Sequence, residues 1–346
     1  MRIGIVTVYN SPNFGSYWQA RALYDKLCEQ GHEVYLFDTG TRSTLDRIYK
    51  PAGLSAVKSI LKINYRKASF QVKKMYYFWK NLHTVRVISE IEKLNRMDVV
   101  IFGSDEIWNV TRNEMSQYSI FWGDGIEVLK KISYAVSVNR ATKKELEQSG
   151  MTKYLDSFVA VSVRDSWSKE QLEQFYYREI EKVIDPTLLY NWTYYSKRNR
   201  KICDNYIALY YSSVTENEKV LIKALSKRLG KKIISIGMWY DWCDECVISE
   251  IPFEYFEKAD YVITNTFHGT AFSINYNKKF IAFVQDKTKI AELLNEFSLD
   301  SQIGDDLSIE DLLGRIESNI NWEQVNQLLE EKRRFSIQYL SSSIGE

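Results

Sequence analysis

Asp260-Tyr-Val-Ile-Thr-Asn-Thr-Phe-His-Gly-Thr-Ala-Phe-Ser273, DYVITNTFHGTAFS, decides how the chain is read. Tyr261 to Thr264 is an apolar run with β-branched residues, the pattern of a buried strand. Asn265 and Thr266 end it. Phe267-His268-Gly269-Thr270 then turn into a helix expected over Ala271 to Asn275. A strand feeding a loop that opens a helix is where α/β proteins take anions, because free backbone N–H groups and the positive end of the helix dipole face the ligand. Gly269 permits close backbone approach. His268 is one of three histidines in the chain. It reads either as a hydrogen-bonded structural residue or as an acid/base group beside an anion site.

Composition bounds the rest. A chain of 346 residues suggests two domains, and 45% hydrophobic content supports large cores. No run of about 18 apolar residues occurs, so no spanning helix is expected. The basic-poor start runs straight into a strand, unlike a secretory signal. Four cysteines in this length are no disulfide framework. Cys243 and Cys246 form a C-x-x-C without a second pair, and read as ordinary thiols. A cytoplasmic protein is expected.

Arg2 to Val8 reads as a buried parallel strand. The loop Tyr9 to Gly15 is rich in turn formers, Ser16 is a plausible N-cap for a helix Tyr17 to Gln30, and Val34 to Asp38 is a second strand. This βαβ unit lacks the G-x-G-x-x-G signature, so no dinucleotide cofactor is indicated. Asp98 to Phe102 is a strand ending in Gly103-Ser104-Asp105-Glu106-Ile107-Trp108-Asn109. Asp105 either caps a helix, or orients an acceptor hydroxyl or acts as its base. Lys131 to Val138 is a strand, Thr142 to Asp156 a helix, and Phe158 to Val163 a strand ending at Arg164-Asp165-Ser166. Arg164 there is a surface ion pair or a clamp for phosphate or carboxylate, with Ser166 or Ser168 as N-cap.

Arg47 to Arg86 is the compositional anomaly. It holds ten basic residues and no acidic one in a chain of net charge +1, which leaves the remainder at −9. Tyr49, Tyr65, Phe70, Tyr76, Tyr77, Phe78 and Trp79 are interleaved. It reads as a solvated insertion covering the first domain, or as a helical stretch suited to an anionic lipid surface or a lipid-diphosphate substrate, or equally to nucleic acid. Leu188 to Lys201 reads as a linker. A second alternation follows: strand Tyr206 to Tyr211, helix Glu216 to Leu229 stopped by Gly230, strand Lys232 to Ile236, loop Gly237 to Glu250, then the opening stretch and strand Phe280 to Val284. The expected architecture is α/β with two Rossmann-like domains: residues 1–187 carrying the insertion 47–86, linker 188–201, residues 202–321, and a C-terminal helix in 322–346. A cleft between the halves is expected, with strand-end loops facing it.

Five motifs then occur in order: Asn13-Phe14-Gly15-Ser16 with Gln19-Ala20; Phe102-Gly103-Ser104-Asp105 with Ile107-Trp108-Asn109; Val161-Ser162-Val163-Arg164; Asp185-Pro186-Thr187-Leu188; and Phe267-His268-Gly269-Thr270. Together they resemble the polysaccharide pyruvyl transferase family, over roughly residues 3 to 284. The resemblance implies a fold similar to GT-B glycosyltransferases. It also implies transfer of a pyruvyl group from phosphoenolpyruvate to a sugar of a cell-surface glycan or its lipid-linked precursor, closing a cyclic ketal. By it, His268 is the general acid, and Asp105 is the candidate to activate or orient the acceptor. Arg164, Thr266, Phe267, Gly269, Thr270 and Ser273 bind the donor. Asn13, Gly15, Ser16, Ser104, Trp108 and Asn109 bind the acceptor. No metal and no cofactor beyond phosphoenolpyruvate as co-substrate are implied, and no nucleic-acid partner; peripheral contact with an anionic membrane at its inner face is an added expectation from the basic stretch. The chain departs from the family at Thr266, where a basic residue is usual; Lys278 and Lys279 are the replacements within reach in sequence. A nucleotide-sugar glycosyltransferase and a non-enzymatic glycan- or membrane-binding protein are the alternatives.

Overall fold

The computed structural model describes residues 1–10, 14–40, 49–112, 118–192, 202 and 204–345. Two compact units emerge. One comprises Met1–Ile48, Leu82–Tyr190 and Glu330–Glu346, the other Tyr49–Asn81 and Asn191–Leu329. Both are α/β with an all-parallel sheet.

The first sheet holds β1 (Arg2–Val6), β2 (Glu33–Phe37), β3 (Val87–Ile88), β4 (Val99–Phe102), β5 (Lys131–Ser133), β6 (Phe158–Val163) and β7 (Ile180–Lys182), in the order β3-β2-β1-β4-β5-β6-β7. Ile3 pairs in register with Val34 on one side and Val99 on the other. β4 (VVIF) is the continuous apolar run expected of a central strand covered on both faces; Ile3, Ile5, Val6 and all four residues of β4 are fully buried. The order reverses between β1 and β4, which makes the carboxyl ends of those two strands a topological switch point.

The second sheet holds β8 (Tyr206–Tyr210), β9 (Lys232–Ile236), β10 (Glu245–Val247), β11 (Tyr261–Thr264) and β12 (Lys279–Ala282), in the order β10-β9-β8-β11-β12. Its switch point lies between β8 and β11. The helix Glu216–Leu229 starts at a reciprocal capping box of Thr215 and Glu218, and Gly230 at φ +63° ends it.

Several elements differ from the sequence reading. The strand expected over 131–138 stops at Ser133, and Ala135 sits at φ +54°. The helix expected over 142–156 breaks at Gly150 (φ +66°) into the helix Lys143–Ser149 and a 3-10 turn. Ser166 and Ser168 cap nothing: Asp165 is the N-cap and accepts from the Ser168 N–H at 2.8 Å. Ser16 is likewise no cap, since its helix runs Phe14–Glu29.

The basic stretch departs most. Among the described residues it forms two helices, Lys50–Leu61 and Tyr65–Leu82. Residues 49–81 belong to the second unit, not to the first, where the sequence order had put them. Asn81 Nδ2 donates to the Glu250 carbonyl at 3.1 Å, Lys80 pairs with the Glu250 carboxylate at 2.8 Å, and Phe70 meets Trp239 edge-on. Residues 330–346 in turn belong to the first unit. Within it, Tyr339 Oη donates to the Ser133 carbonyl at 2.9 Å, Ser336 Oγ accepts from the Ile184 N–H at 3.1 Å, and Leu340 and Ile344 are fully buried. Arg47 and residues 193–201 of the expected linker lie outside the described residues. No helix among the described residues is long and apolar enough to cross a membrane.

Candidate functional site

In the second unit the helix after β11 runs Phe267–Asn275, four residues earlier than its pattern suggests. Thr266 is its N-cap in extended backbone, and its hydroxyl accepts from the Gly269 N–H at 3.0 Å. His268 is therefore the second residue of the helix, not part of the preceding loop. It is buried, with the Phe267 ring edge-on to it at 5.5 Å. Gly269 is obligatory for packing: a Cβ there would lie 2.1 Å from Thr264 Oγ1. Thr264 Oγ1 itself donates to the Tyr210 carbonyl at 2.6 Å and accepts from the Thr266 N–H at 3.1 Å.

The helix start is tied across the switch point. Asn265, after β11, accepts from the Ser212 N–H at 3.1 Å and donates to the Ser213 carbonyl at 2.8 Å, and both serines follow β8. The anion-facing end of this helix thus sits where α/β sheets bind ligands. A cation stands there that the sequence reading missed. Lys287, past the end of β12, donates to the Asn265 carbonyl at 2.7 Å, one residue before the N-cap. Burial pulls its ammonium pKa down, against the opposing pull of Glu218, Asp286 and Asp305. Its signal was available, since it follows a strand's carboxyl end as Arg164 does.

Lys278 and Lys279 do not replace the basic residue absent at Thr266. Lys279 pairs in register with Tyr261, at the opposite end of β11, and bonds Glu317 at 3.3 Å. Lys278 bonds the carbonyls of Glu257 and Ala259. Two expected donor contacts are spent on backbone: the Thr270 hydroxyl donates to the Thr266 carbonyl at 3.1 Å, and the Ser273 hydroxyl to the Gly269 carbonyl at 2.8 Å. Both side chains are fully buried.

In the first unit the structure gathers Ser16, Asp105 and Arg164 at the carboxyl ends of β1, β4 and β6. Asp105 has φ +80° and follows a cis Gly103–Ser104 peptide. Its carboxylate accepts from Ser16 Oγ at 2.8 Å, from the Glu106 N–H at 2.9 Å and from Arg164 Nη2 at 3.2 Å. Arg164 Nη1 donates to Asp185 Oδ2 at 2.7 Å. Asp185 Oδ1 accepts from the Thr187 N–H and hydroxyl at 2.9 and 2.7 Å, capping the short helix Pro186–Leu189. The Arg164 and Asp185 side chains are 4% and 0% exposed. Burial alone would lower the guanidinium pKa, but Asp185, then Asp105 and Glu106, outweigh it and hold the charge in place. Arg164 is thus neither a surface ion pair nor an open clamp. It is a buried strut between two carboxylates, and it fixes Asp105.

The remaining acceptor candidates divide. Ser104 is buried; its carbonyl accepts from Thr7 Oγ1 at 2.9 Å and its hydroxyl donates to Gln19, which also donates to the Ser16 carbonyl at 2.9 Å. These contacts brace the loops after β1 and β4 against each other. Gly15 lies buried in the first turn of its helix. Trp108 is a core residue and offers no face to a sugar: it is fully buried, stacks on Trp122 at 4.8 Å, and donates its indole N–H to the Phe121 carbonyl. Asn109 is buried and accepts from the Thr111 N–H and hydroxyl, a turn bond. Asn13 lies outside the described residues. The second unit also holds a cavity of about 860 Å³ lined by Arg66, Lys73, Trp239, Asp241, Cys243 and Cys246 among others, and it shares none of the candidate site residues. Its two cysteines carry free thiols.

The model of the polysaccharide pyruvyl transferase family matches residues 13–287. Among solved structures, the chain is similar to Arabidopsis thaliana UGT89C1 complexed with UDP-L-rhamnose, with a TM-score of 0.55 at 11% identity over 99% of this chain and 98% of that one. It is also similar to the UDP-GlcNAc 2-epimerase of Methanocaldococcus jannaschii, with 0.53 at 12% identity over 93% of each chain. An alpha-glucosyltransferase in complex with UDP gives 0.52 at 12% identity over 99% and 95%. At such identities the likeness is one of fold, that of GT-B glycosyltransferases and epimerases. No curated protein matches the sequence.

Proposed function

The chain belongs to the polysaccharide pyruvyl transferase family, and from that premise we propose that it moves a pyruvyl group from phosphoenolpyruvate to a sugar of a polysaccharide or its lipid-linked precursor, closing a ketal. The observation that carries this reading is the second switch point. A histidine on the first turn of a helix, the positive end of that helix and the Lys287 ammonium meet at one strand end. Phosphoenolpyruvate carries a phosphate and a carboxylate, and needs cations, N–H donors and a proton source.

In this reading Lys287 and the helix start hold the donor's anionic groups, and Lys287 takes the place of the basic residue absent at Thr266. His268 gives its proton to the methylene carbon, which becomes a methyl group, and the central carbon becomes the electrophile. A sugar hydroxyl adds there as its proton passes to a base. A second hydroxyl of the same sugar displaces phosphate, and the ketal closes with its carboxylate retained. Arg164 is a positioning residue for Asp105. Phosphoenolpyruvate is a consumed co-substrate.

The test is phosphate release from phosphoenolpyruvate with a panel of hexosides bearing free diols. His268→Ala is expected to keep the wild-type melting temperature within a few degrees and to lose release entirely. Near-wild-type turnover in that variant would overturn the role of His268. The UDP ligands of the structural neighbours favour a second reading, a glycosyltransferase using a nucleotide sugar. Thermal stabilisation by a UDP-sugar and not by phosphoenolpyruvate would select it.

A further inference from the structure

The first helix of the basic stretch is built inside out, and the second carries an exposed apolar stripe as well. Lys50–Leu61 buries its small residues, Ala52, Ala56 and Ser59, and turns Leu54, Val57, Ile60 and Leu61 to solvent. Leu54, Val57 and Leu61 are three and four apart and share one face. A helix packed on a core normally does the reverse. Tyr65–Leu82 buries Ala68, Phe70, Phe78 and Asn81, and exposes Tyr65, Val72, Tyr76 and Trp79, again one stripe, with Tyr76 and Trp79 stacked. Between the helices Ile63 stands 75% exposed at φ +56°, a backbone region that β-branched residues avoid. Of eighteen exposed large apolar side chains among the described residues, nine fall between Leu54 and Trp79. So dense a run of exposed apolar side chains, lying in one stripe on each helix, marks an interaction site.

The charges name the occupant. Lys58, Lys62, Arg66 and Lys73 are exposed around these stripes, Lys67 is half-buried, and residues 49–86 contain no acid. We propose that these two helices form a membrane-docking surface for anionic lipid, with Leu54, Val57, Leu61 and Ile63 entering the acyl boundary, Tyr65, Tyr76 and Trp79 at the headgroup level and the lysines on lipid phosphates. Amphipathic rings suit the headgroup zone, and lysine rims suit anionic leaflets. A second copy of the chain is a poor occupant, because a two-fold contact would set the same acid-free cations against each other. Nucleic acid would use the cations and leave the aliphatic ridge unused.

The experiment is flotation of the full chain with vesicles of phosphatidylcholine alone and with 30 mol% phosphatidylglycerol, paired with light scattering for mass. The expected result is flotation with the anionic vesicles only. Lys58→Glu/Lys62→Glu and, separately, Leu54→Glu/Leu61→Glu are expected to lower partitioning at least tenfold, with melting temperature unchanged because these side chains lie at the surface. No flotation with either vesicle overturns the proposal, as does flotation that the variants leave intact. A dimer that the leucine variant dissociates, without flotation, overturns it in favour of a self-association face. None of these outcomes depends on phosphoenolpyruvate turnover.

Discussion

Replacing Arg164 by methionine tests the first switch point most directly. The guanidinium spans Asp185 at 2.7 Å and Asp105 at 3.2 Å, and the side chains are 4%, 0% and 18% exposed. Methionine keeps most of the volume and removes the charge, so Asp185 is left buried with only its Thr187 contacts. Breaking a buried pair from one side costs about 3–5 kcal/mol. At about 2–4 °C per kcal/mol for a unit of this size, the melting temperature should fall by about 6–20 °C. Urea unfolding of wild type, Arg164→Met, Asp185→Asn and the double variant gives the coupling. Asparagine keeps the cap on Thr187 while removing the charge, so the double variant should be less destabilised than the sum of the singles. An Arg164→Met protein within about 1 kcal/mol of wild type, yet no longer stabilised by phosphoenolpyruvate, would refute the strut and restore Arg164 as a donor clamp.

Lys287→Ala should raise KM for phosphoenolpyruvate and cut kcat/KM about 10- to 150-fold, the loss of one charge-assisted bond of about 1.5–3 kcal/mol. Because burial depresses the Lys287 pKa, the ammonium is lost at lower pH than in an ordinary lysine. Donor KM should then climb on the alkaline side in wild type and stay flat in Lys287→Arg; an identical pH profile in both would remove Lys287 from the donor site. Gly269→Ala forces a Cβ to 2.1 Å from Thr264 Oγ1, which should cost about 1–3 kcal/mol by calorimetry, and an unchanged melting temperature would contradict the tight helix start. Trp108→Ala should lose about 3–5 kcal/mol of stability with acceptor KM unchanged in the folded fraction; a raised KM at wild-type stability would make Trp108 a sugar platform after all.

What the sequence made legible follows from how local each signal is. Phe158–Val163, Lys232–Ile236 and Tyr261–Thr264 are strands over the residues expected, because each is a short run rich in β-branched residues between polar or turn residues. Glu216–Leu229 is likewise as read, since its stop at Gly230 is a neighbour in sequence. β3 and β10 escaped notice: two and three residues show no period. The early start of the His268 helix hides behind Thr266, whose hydroxyl reads equally as a strand-end residue and as a cap. Arg164 was placed at the right strand end. Its partner Asp185 comes 21 residues later, and only the pairing of β6 with β7 brings the two together. Trp108 carries the composition of a sugar platform, and only its stacking on Trp122 makes it core. Position on a strand end is thus a local property, whereas commitment of a side chain to a partner is not.

The division of the chain bears on the order in which it can fold. The first unit owns the earliest residues and also Glu330 onward. Until Ser336, Tyr339, Leu340 and Ile344 emerge from the ribosome, the Ile184 N–H lacks its bond to Ser336, the Ser133 carbonyl has the Ser162 hydroxyl but not that of Tyr339, and the apolar surface those residues cover stays wet. The second unit, complete by Leu329, is fully synthesised first, although it begins later. Vectorial synthesis therefore favours its independent closure, with its two early helices waiting from residue 49, while the nascent β1–β7 sheet remains a client for chaperones. A stalled chain ending near residue 329 should resist protease across the second unit and be cut within the first.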